Sequence, residues 1–174
     1  MSVSRTALVA LGSNLGDRLE TCRAAVDALD ATDGIAVAAV SPIFETAPVG
    51  GPAGQDAYYN AAVALRTTRE PLGLLGLLQA IEAQHKRARE VHWGPRTLDL
   101  DLLFLEDAVW DDARLTLPHP RLHERRFVLA PLARIAPDQR HPVIGQTVAE
   151  MLAALPSDDA GDVVAVLEDW RCAP

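Results

Sequence analysis

The chain has 174 residues, 49% of them hydrophobic and 23% charged, which suits one domain with a real core. A net charge of −8 excludes a general nucleic-acid binder. No stretch approaches the roughly 20 uninterrupted apolar residues of a membrane span, and "MSVSRTALVAL" lacks a signal-peptide pattern, so a cytoplasmic protein is expected. In chain order, "RTALVALGSN" is an apolar run ending in Gly and Asn and reads as a buried strand. Asp17 and Glu20 have capping-box spacing, and Leu19, Cys22, Val26 and Leu29 mark one face of a helix to about residue 31. "GIAVAAVSPIFETAPV" is a long strand with Pro42 inside it, a sign of an edge or a bulge. After the Gly- and Pro-rich "GGPAGQD" comes another strand, "AYYNAAVALRTT". Pro71 opens a second helix striped by Leu74, Leu77, Leu78, Ile81 and His85. "WGPRTLDLDLLF" supplies the next strand, with Leu98, Leu100, Leu102 and Phe104 on one face and Asp99 and Asp101 on the other.

Strand, helix, strand, strand, helix, strand is the split βαβ order of ferredoxin-like domains. It predicts an α+β fold, a βαββαβ core whose mainly antiparallel sheet carries its helices on one side. Beyond it, "AVWDDARLTLP" reads as a hairpin turning at Asp111-Asp112, and "RRFVLAPLARIAP" and "TVAEMLAAL" as helices. The last dozen or so residues carry no clear pattern. No internal repeat or linker divides the chain, so residues 1–174 are expected to form one domain. Cys22 reads as a small buried apolar residue, and Cys172 has no metal-ligand spacing to it.

The pair Asp99 and Asp101 poses the chemical question. Residues i and i+2 of a strand share a face about 6.5–7 Å apart, and two ionised carboxylates so placed repel. Oxygen-only ligands suit a hard cation such as Mg²⁺, which completes its shell with water and substrate phosphates. A bare Asp-x-Asp is more often a solvated acidic face. Here Arg96 precedes it, Arg87 and Arg89 lie upstream, the Gly94-Pro95 turn fixes the geometry, and Arg121, Arg125 and Arg126 form a second basic cluster. Cations for a polyphosphate beside carboxylates for its metal suit phosphoryl transfer. There is no Walker loop and no G-x-G-x-x-G; "GSNLG" reads as a turn from strand to helix, its glycines serving backbone freedom.

"WGPRTLDLDLLF" closely resembles the signature of the 6-hydroxymethyl-7,8-dihydropterin pyrophosphokinase family of folate biosynthesis. "ALGSNLGDR", "FETAPVG", "YYNAAVAL", "IEAQHKRAR" and "LTLPHPRLHERRFVLAPL" extend the likeness over roughly residues 5 to 155. The resemblance implies a ferredoxin-like fold and transfer of the β,γ-pyrophosphoryl group of ATP to the pterin's hydroxymethyl oxygen, releasing AMP. It implies that Asp99 and Asp101 hold two Mg²⁺ ions and that Arg87 and Arg96 contact the phosphates. By the same resemblance Gln79, Glu82, Arg89, His119 and Arg125 match positions that serve ATP. Phe127 and Trp93 match the rings that stack on the pterin, Asn60 the residue reading its edge, and Thr46, Val49 and Tyr58 positions lining its pocket. Small-molecule substrates, no nucleic acid, no membrane and a monomer are expected. Without the motif, Trp93 and Phe127 read as core aromatics, Asn60 as a turn residue and His119 as a surface histidine. Two alternatives stay open: another two-metal phosphoryl or nucleotidyl transferase, and a non-catalytic nucleotide-binding module.

Overall fold

The computed structural model describes residues 2–47, 56–92 (side chains as far as residue 85), 98–156 and 163–171. Strands β1 (Arg5–Ser13), β2 (Ile35–Val40), β3 (Ile43–Thr46), β4 (Tyr58–Thr67) and β5 (Asp99–Leu105) alternate with α1 (Arg18–Asp30) and α2 (Pro71–His92). A hairpin of β6 (Trp110–Asp111) and β7 (Thr116–Leu117) follows. Then come a 3-10 turn (Leu122–Glu124), α3 (Arg126–Ile135), α4 (Val148–Ala154) and β8 (Val163–Leu167). The sheet runs β5-β1-β4-β3-β8, with β2 also on β4, and every described pairing is antiparallel. This is the predicted ferredoxin-like core. Each helix crossover joins two parallel strands around an intervening one, and right-handed crossovers place α1 and α2 on the same face.

The other face is covered as well, a departure from the one-sided sheet expected. Ala7, Val9 and Leu11 pack toward α1 and α2 with Cys22, Val26, Leu74 and Leu78. Leu8, Ala62 and Ala64 pack toward α3 and α4 with Val128, Leu129, Leu132 and Met151. Burial on both faces explains why β1 is a near-continuous apolar run. Cys22 is fully buried, and its thiol is pushed up to about 12 by that burial, so it serves as packing. Cys172 lies outside the described residues.

Three local readings need correction. Pro42 has no N–H, so the long strand predicted around it breaks into β2 and β3. Ser41 bridges the break: its hydroxyl accepts from Ala62 N at 2.8 Å and donates to Pro42 O at 2.7 Å. In β5, Val9 faces Leu102 while Leu8 faces Phe104, so Leu103 is an extra residue in the ladder. That bulge carries Phe104 to the α3 face, away from Leu98, Leu100 and Leu102. Asp111 belongs to β6, and the hairpin turns over Asp112–Leu115, where the Asp112 carboxylate accepts from Arg114 N and Leu115 N. The helix readings hold: Asp17 caps α1 by accepting from Glu20 N at 3.0 Å.

Phe104 meets the ring of His141 edge-on at 5.9 Å. His141 is 6% exposed, and its Nδ1 accepts from Val143 N and Ile144 N, so the neutral ring carries its proton on Nε2. Burial, and then the neighbouring His123 ring, hold its pKa below the ordinary imidazole range. The unfolded chain therefore takes up this proton first. Stability is complete above about pH 6.5 and falls as pH drops through the depressed value. Melting curves between about pH 8 and about pH 5 should show that acid-side loss. His141→Asn, which keeps an acceptor without a proton site, should flatten it.

Candidate active site

On the α3 face the sheet is covered unevenly. Toward one end, Leu8, Ala64 and Phe104 meet α3 and α4. Toward the other, β1 offers only Ala10 and Gly12, and the small side chains leave a cavity of about 620 Å³ under the segment that leads into α3. That volume suits a small-molecule site. Its lining includes Asp99 and Asp101 from β5, Thr46, Tyr58 and Asn60 from β3 and β4, and Arg121, Glu124, Arg125 and Phe127 from the segment above.

Register explains the assembly. Gly12 faces Asp99 on one side and Asn60 on the other, so three strands put a carboxylate, a gap and an amide in one row. Ala10 likewise faces Asp101 and Ala62 in the next row. Gly12 sits in regular strand; a Cβ there would come 3.3 Å from Asn60 Oδ1, closer than carbon and oxygen normally pack. Its use is close approach, not the turn expected from "GSNLG". Gly16 supplies the turn, with φ at 68°.

Asn60 is buried, and its Nδ2 donates to Thr46 Oγ1 at 2.8 Å, which aims the amide. Removing it in Asn60→Ala takes a buried polar partner from whatever ring edge lies there and leaves Thr46 unpaired, about 1–3 kcal/mol. Affinity for a ligand whose ring edge meets this amide should fall about tenfold or more, while affinity for a ligand held at the carboxylate pair barely moves. Separate fluorescence titrations with the two ligands check this; equal losses would make Asn60 structural.

His119 is half-buried beside β5: its N donates to Leu103 O at 2.9 Å, and its Nδ1 accepts from Arg121 N at 3.2 Å. Burial lowers its pKa, the Asp101 carboxylate opposes that, and Arg125 and Arg121 add to the lowering. The neutral ring, its Nδ1 occupied, carries its proton on Nε2; His119 itself is not among the residues lining the cavity. The three arginines of the second basic cluster divide. Arg125 stands over the Phe127 ring at 5.7 Å, Arg121 pairs with Glu124, and Arg126 binds Leu155 O and Pro156 O at the end of α4.

Seven predicted residues thus converge on one cavity: Thr46, Tyr58, Asn60, Asp99, Asp101, Arg125 and Phe127. Gln79 is exposed and Glu82 half-buried on α2; neither lines the cavity. Val49, Trp93 and Arg96, the turn at Gly94-Pro95, and the side chains of Arg87 and Arg89 lie outside the described residues. Gly12, Arg121 and Glu124 went unassigned from sequence. Only the arginine clustering hinted at one of them.

The donor set fits a hard cation. Asp99 is exposed and Asp101 half-buried, both on the cavity, and their ligand atoms are oxygens. Among the described residues no group of three or more His, Cys, Asp or Glu could hold an ion unaided. Such a site suits Mg²⁺ that takes its remaining ligands from water and phosphate.

The family model described as 7,8-dihydro-6-hydroxymethylpterin-pyrophosphokinase (HPPK) matches residues 8–137. A Pseudomonas aeruginosa protein named 2-amino-4-hydroxy-6-hydroxymethyldihydropteridine pyrophosphokinase is 47% identical over 148 residues, 85% of this chain and 90% of that protein. A Methylorubrum extorquens protein of the same name is 48% identical over 149 residues, 86% of this chain and 92% of its own length. Among solved structures, wild-type Plasmodium falciparum HPPK-DHPS with pterin and p-hydroxybenzoate superposes with a TM-score of 0.65 at 14% identity, over 88% of this chain. The chain spans 43% of that solved chain, a likeness of fold alone. Fold, cavity and sequence likeness agree: this chain belongs to the HPPK family.

Proposed function

We propose that the chain transfers pyrophosphate from ATP to 6-hydroxymethyl-7,8-dihydropterin, giving the pterin diphosphate and AMP in folate biosynthesis. The observation that carries the reading is one cavity shared by a carboxylate pair, Asp99 and Asp101, and a buried amide, Asn60, beside an aromatic ring, Phe127. In this reading the hydroxymethyl oxygen attacks the β-phosphorus of ATP in line. The bond from that phosphorus to the α,β-bridging oxygen breaks, AMP departs with the electron pair, and the hydroxyl proton is released.

Asp99 and Asp101 hold Mg²⁺, two ions in this assignment, which when bound neutralises charge on the phosphate oxygens. His119 offers a neutral N–H donor and Arg125 a fixed cation to the same phosphates. Arg87, Arg96 and Arg89, with Gln79 and Glu82, are assigned to ATP by family resemblance. Phe127 stacks on the pterin, with Trp93 opposite by the same resemblance, while Asn60 and Thr46 read the ring edge and Tyr58 and Val49 line the pocket. We read the chain as one domain working as a monomer in the cytoplasm. Among the described residues no helix is long and apolar enough to cross a membrane.

The test is AMP release from ATP and Mg²⁺, with and without the pterin, repeated with EDTA. AMP that needs both pterin and metal supports the transfer. ADP would make the chain a different phosphoryl transferase. ATP binding without any release would favour a nucleotide-binding module.

A further inference from the structure

Among the described lining residues, the cavity's cations are Arg121 and Arg125, set against three carboxylates, Asp99, Asp101 and Glu124. The two arginines are held differently. Arg125 lies over the Phe127 ring. The Nε of Arg121 donates to Glu124 Oε2 at 3.4 Å, with the two side chains 65% and 55% exposed. So long and wet a pair adds close to nothing to stability and is easily exchanged. Glu124 also stands 3.8 Å from His123 Nε2, so it keeps a neighbour when Arg121 leaves. The backbone of Arg121 is fixed by its N–H to His119 Nδ1, and the residue lines the same cavity as the Asp pair.

We propose that Arg121 is a phosphate-binding residue kept in reserve by Glu124: a polyphosphate entering the cavity takes Arg121 from the carboxylate. A guanidinium presents two parallel N–H donors to phosphate oxygens, a better match than its single long contact to Glu124. Glu124 repels the same polyanion, so it acts as a gatekeeping charge that Arg121 must be drawn away from. This rests on the pyrophosphate-transfer reading of the same cavity, which assigns Arg121 no part.

The experiment is titration of the full chain with ATP and Mg²⁺, and separately with the pterin, for wild type, Arg121→Ala, Glu124→Gln and the double variant. Arg121→Ala should weaken ATP about tenfold, the loss of one charge-assisted contact, and leave the pterin unchanged. Glu124→Gln should tighten ATP up to about fivefold when Arg121 is present, and by less in the Arg121→Ala background, where only the direct repulsion is relieved. The ATP affinity of Arg121→Ala should also depend less steeply on salt. Wild-type ATP affinity in Arg121→Ala would overturn the proposal. So would equal weakening in both single variants with matching losses in melting temperature, since the pair would then brace the 3-10 turn. Pterin-dependent AMP release by the wild type is scored independently. Release with unaltered ATP binding in Arg121→Ala sinks this inference alone; weakened binding without release sinks the transfer reading alone.

Discussion

Asp99→Asn and Asp101→Asn are each expected to cut turnover about a thousandfold while the protein keeps its fold. The size follows from what a bound metal would supply at a phosphoryl centre, several kcal/mol of charge stabilisation. The described residues include no third acidic or histidine ligand that could compensate. The fold should survive because Asn has nearly the shape of Asp and the strand is held by its neighbours: Leu98, Leu100 and Leu102 are all at most 3% exposed. Melting temperatures should stay within about 2 °C, as for substitutions away from the core. AMP release and thermal melts on the same preparations check both halves. Normal turnover in either variant would remove the metal from these carboxylates. A large drop in melting temperature with lost activity would make them structural. Partial recovery at high Mg²⁺ would support ligation directly, because a weakened site refills by mass action.

The site was legible where a local pattern carried chemistry. Asp99 and Asp101 announced themselves because two like charges on an otherwise apolar strand need a reason, and the cavity on that face supplies the setting. Asn60 and Thr46 were legible only through resemblance, since nothing local shows that an amide on β4 and a hydroxyl on β3 will sit 2.8 Å apart. Gly12 was misread because a glycine before Ser-Asn looks like a turn. Its real constraint comes from Asn60, 48 positions later in the chain, and appears only once β1 and β4 are in register.

The fold divides the same way. The order of strands and helices was readable because period-two and period-3.6 patterns are local. The bulge at Leu103 was not: Leu102, Leu103, Phe104 and Leu105 are all apolar, so no alternation marks where the strand changes face. Nor could the sequence of α3 and α4 tell which side of the sheet they cover. That depends on where open apolar surface remains after α1 and α2 have packed.

Trp170→Ala should cost about 3–5 kcal/mol, the range for removing a buried large aromatic. At about 2–4 °C per kcal/mol for a chain of this size, the melting temperature should fall by roughly 10 °C. Trp170 is 4% exposed within the core between the sheet and α1, and its indole N–H donates to Ser41 O at 2.8 Å. The surrounding residues converge on the same anchor. Arg23 Nε donates to Trp170 O, Arg171 pairs with Asp27 on α1, and Glu168 pairs with Arg134 on α3. A segment with no pattern of its own is thereby fastened over the break at Ser41-Pro42. Just before it, β8 pairs with β3, whose Thr46 lies opposite Val163. Since Thr46 also holds Asn60, loosening Trp170 should raise the KM for the pterin more than that for ATP. Trp170→Phe, which keeps most of the volume and loses only the hydrogen bond, should cost about 1 kcal/mol and leave both KM values near wild type. A full-strength melt in Trp170→Ala would mean that the C-terminal segment decorates the fold. A parallel loss of stability and pterin affinity, restored together by Phe, would mean that it holds one wall of the site in place.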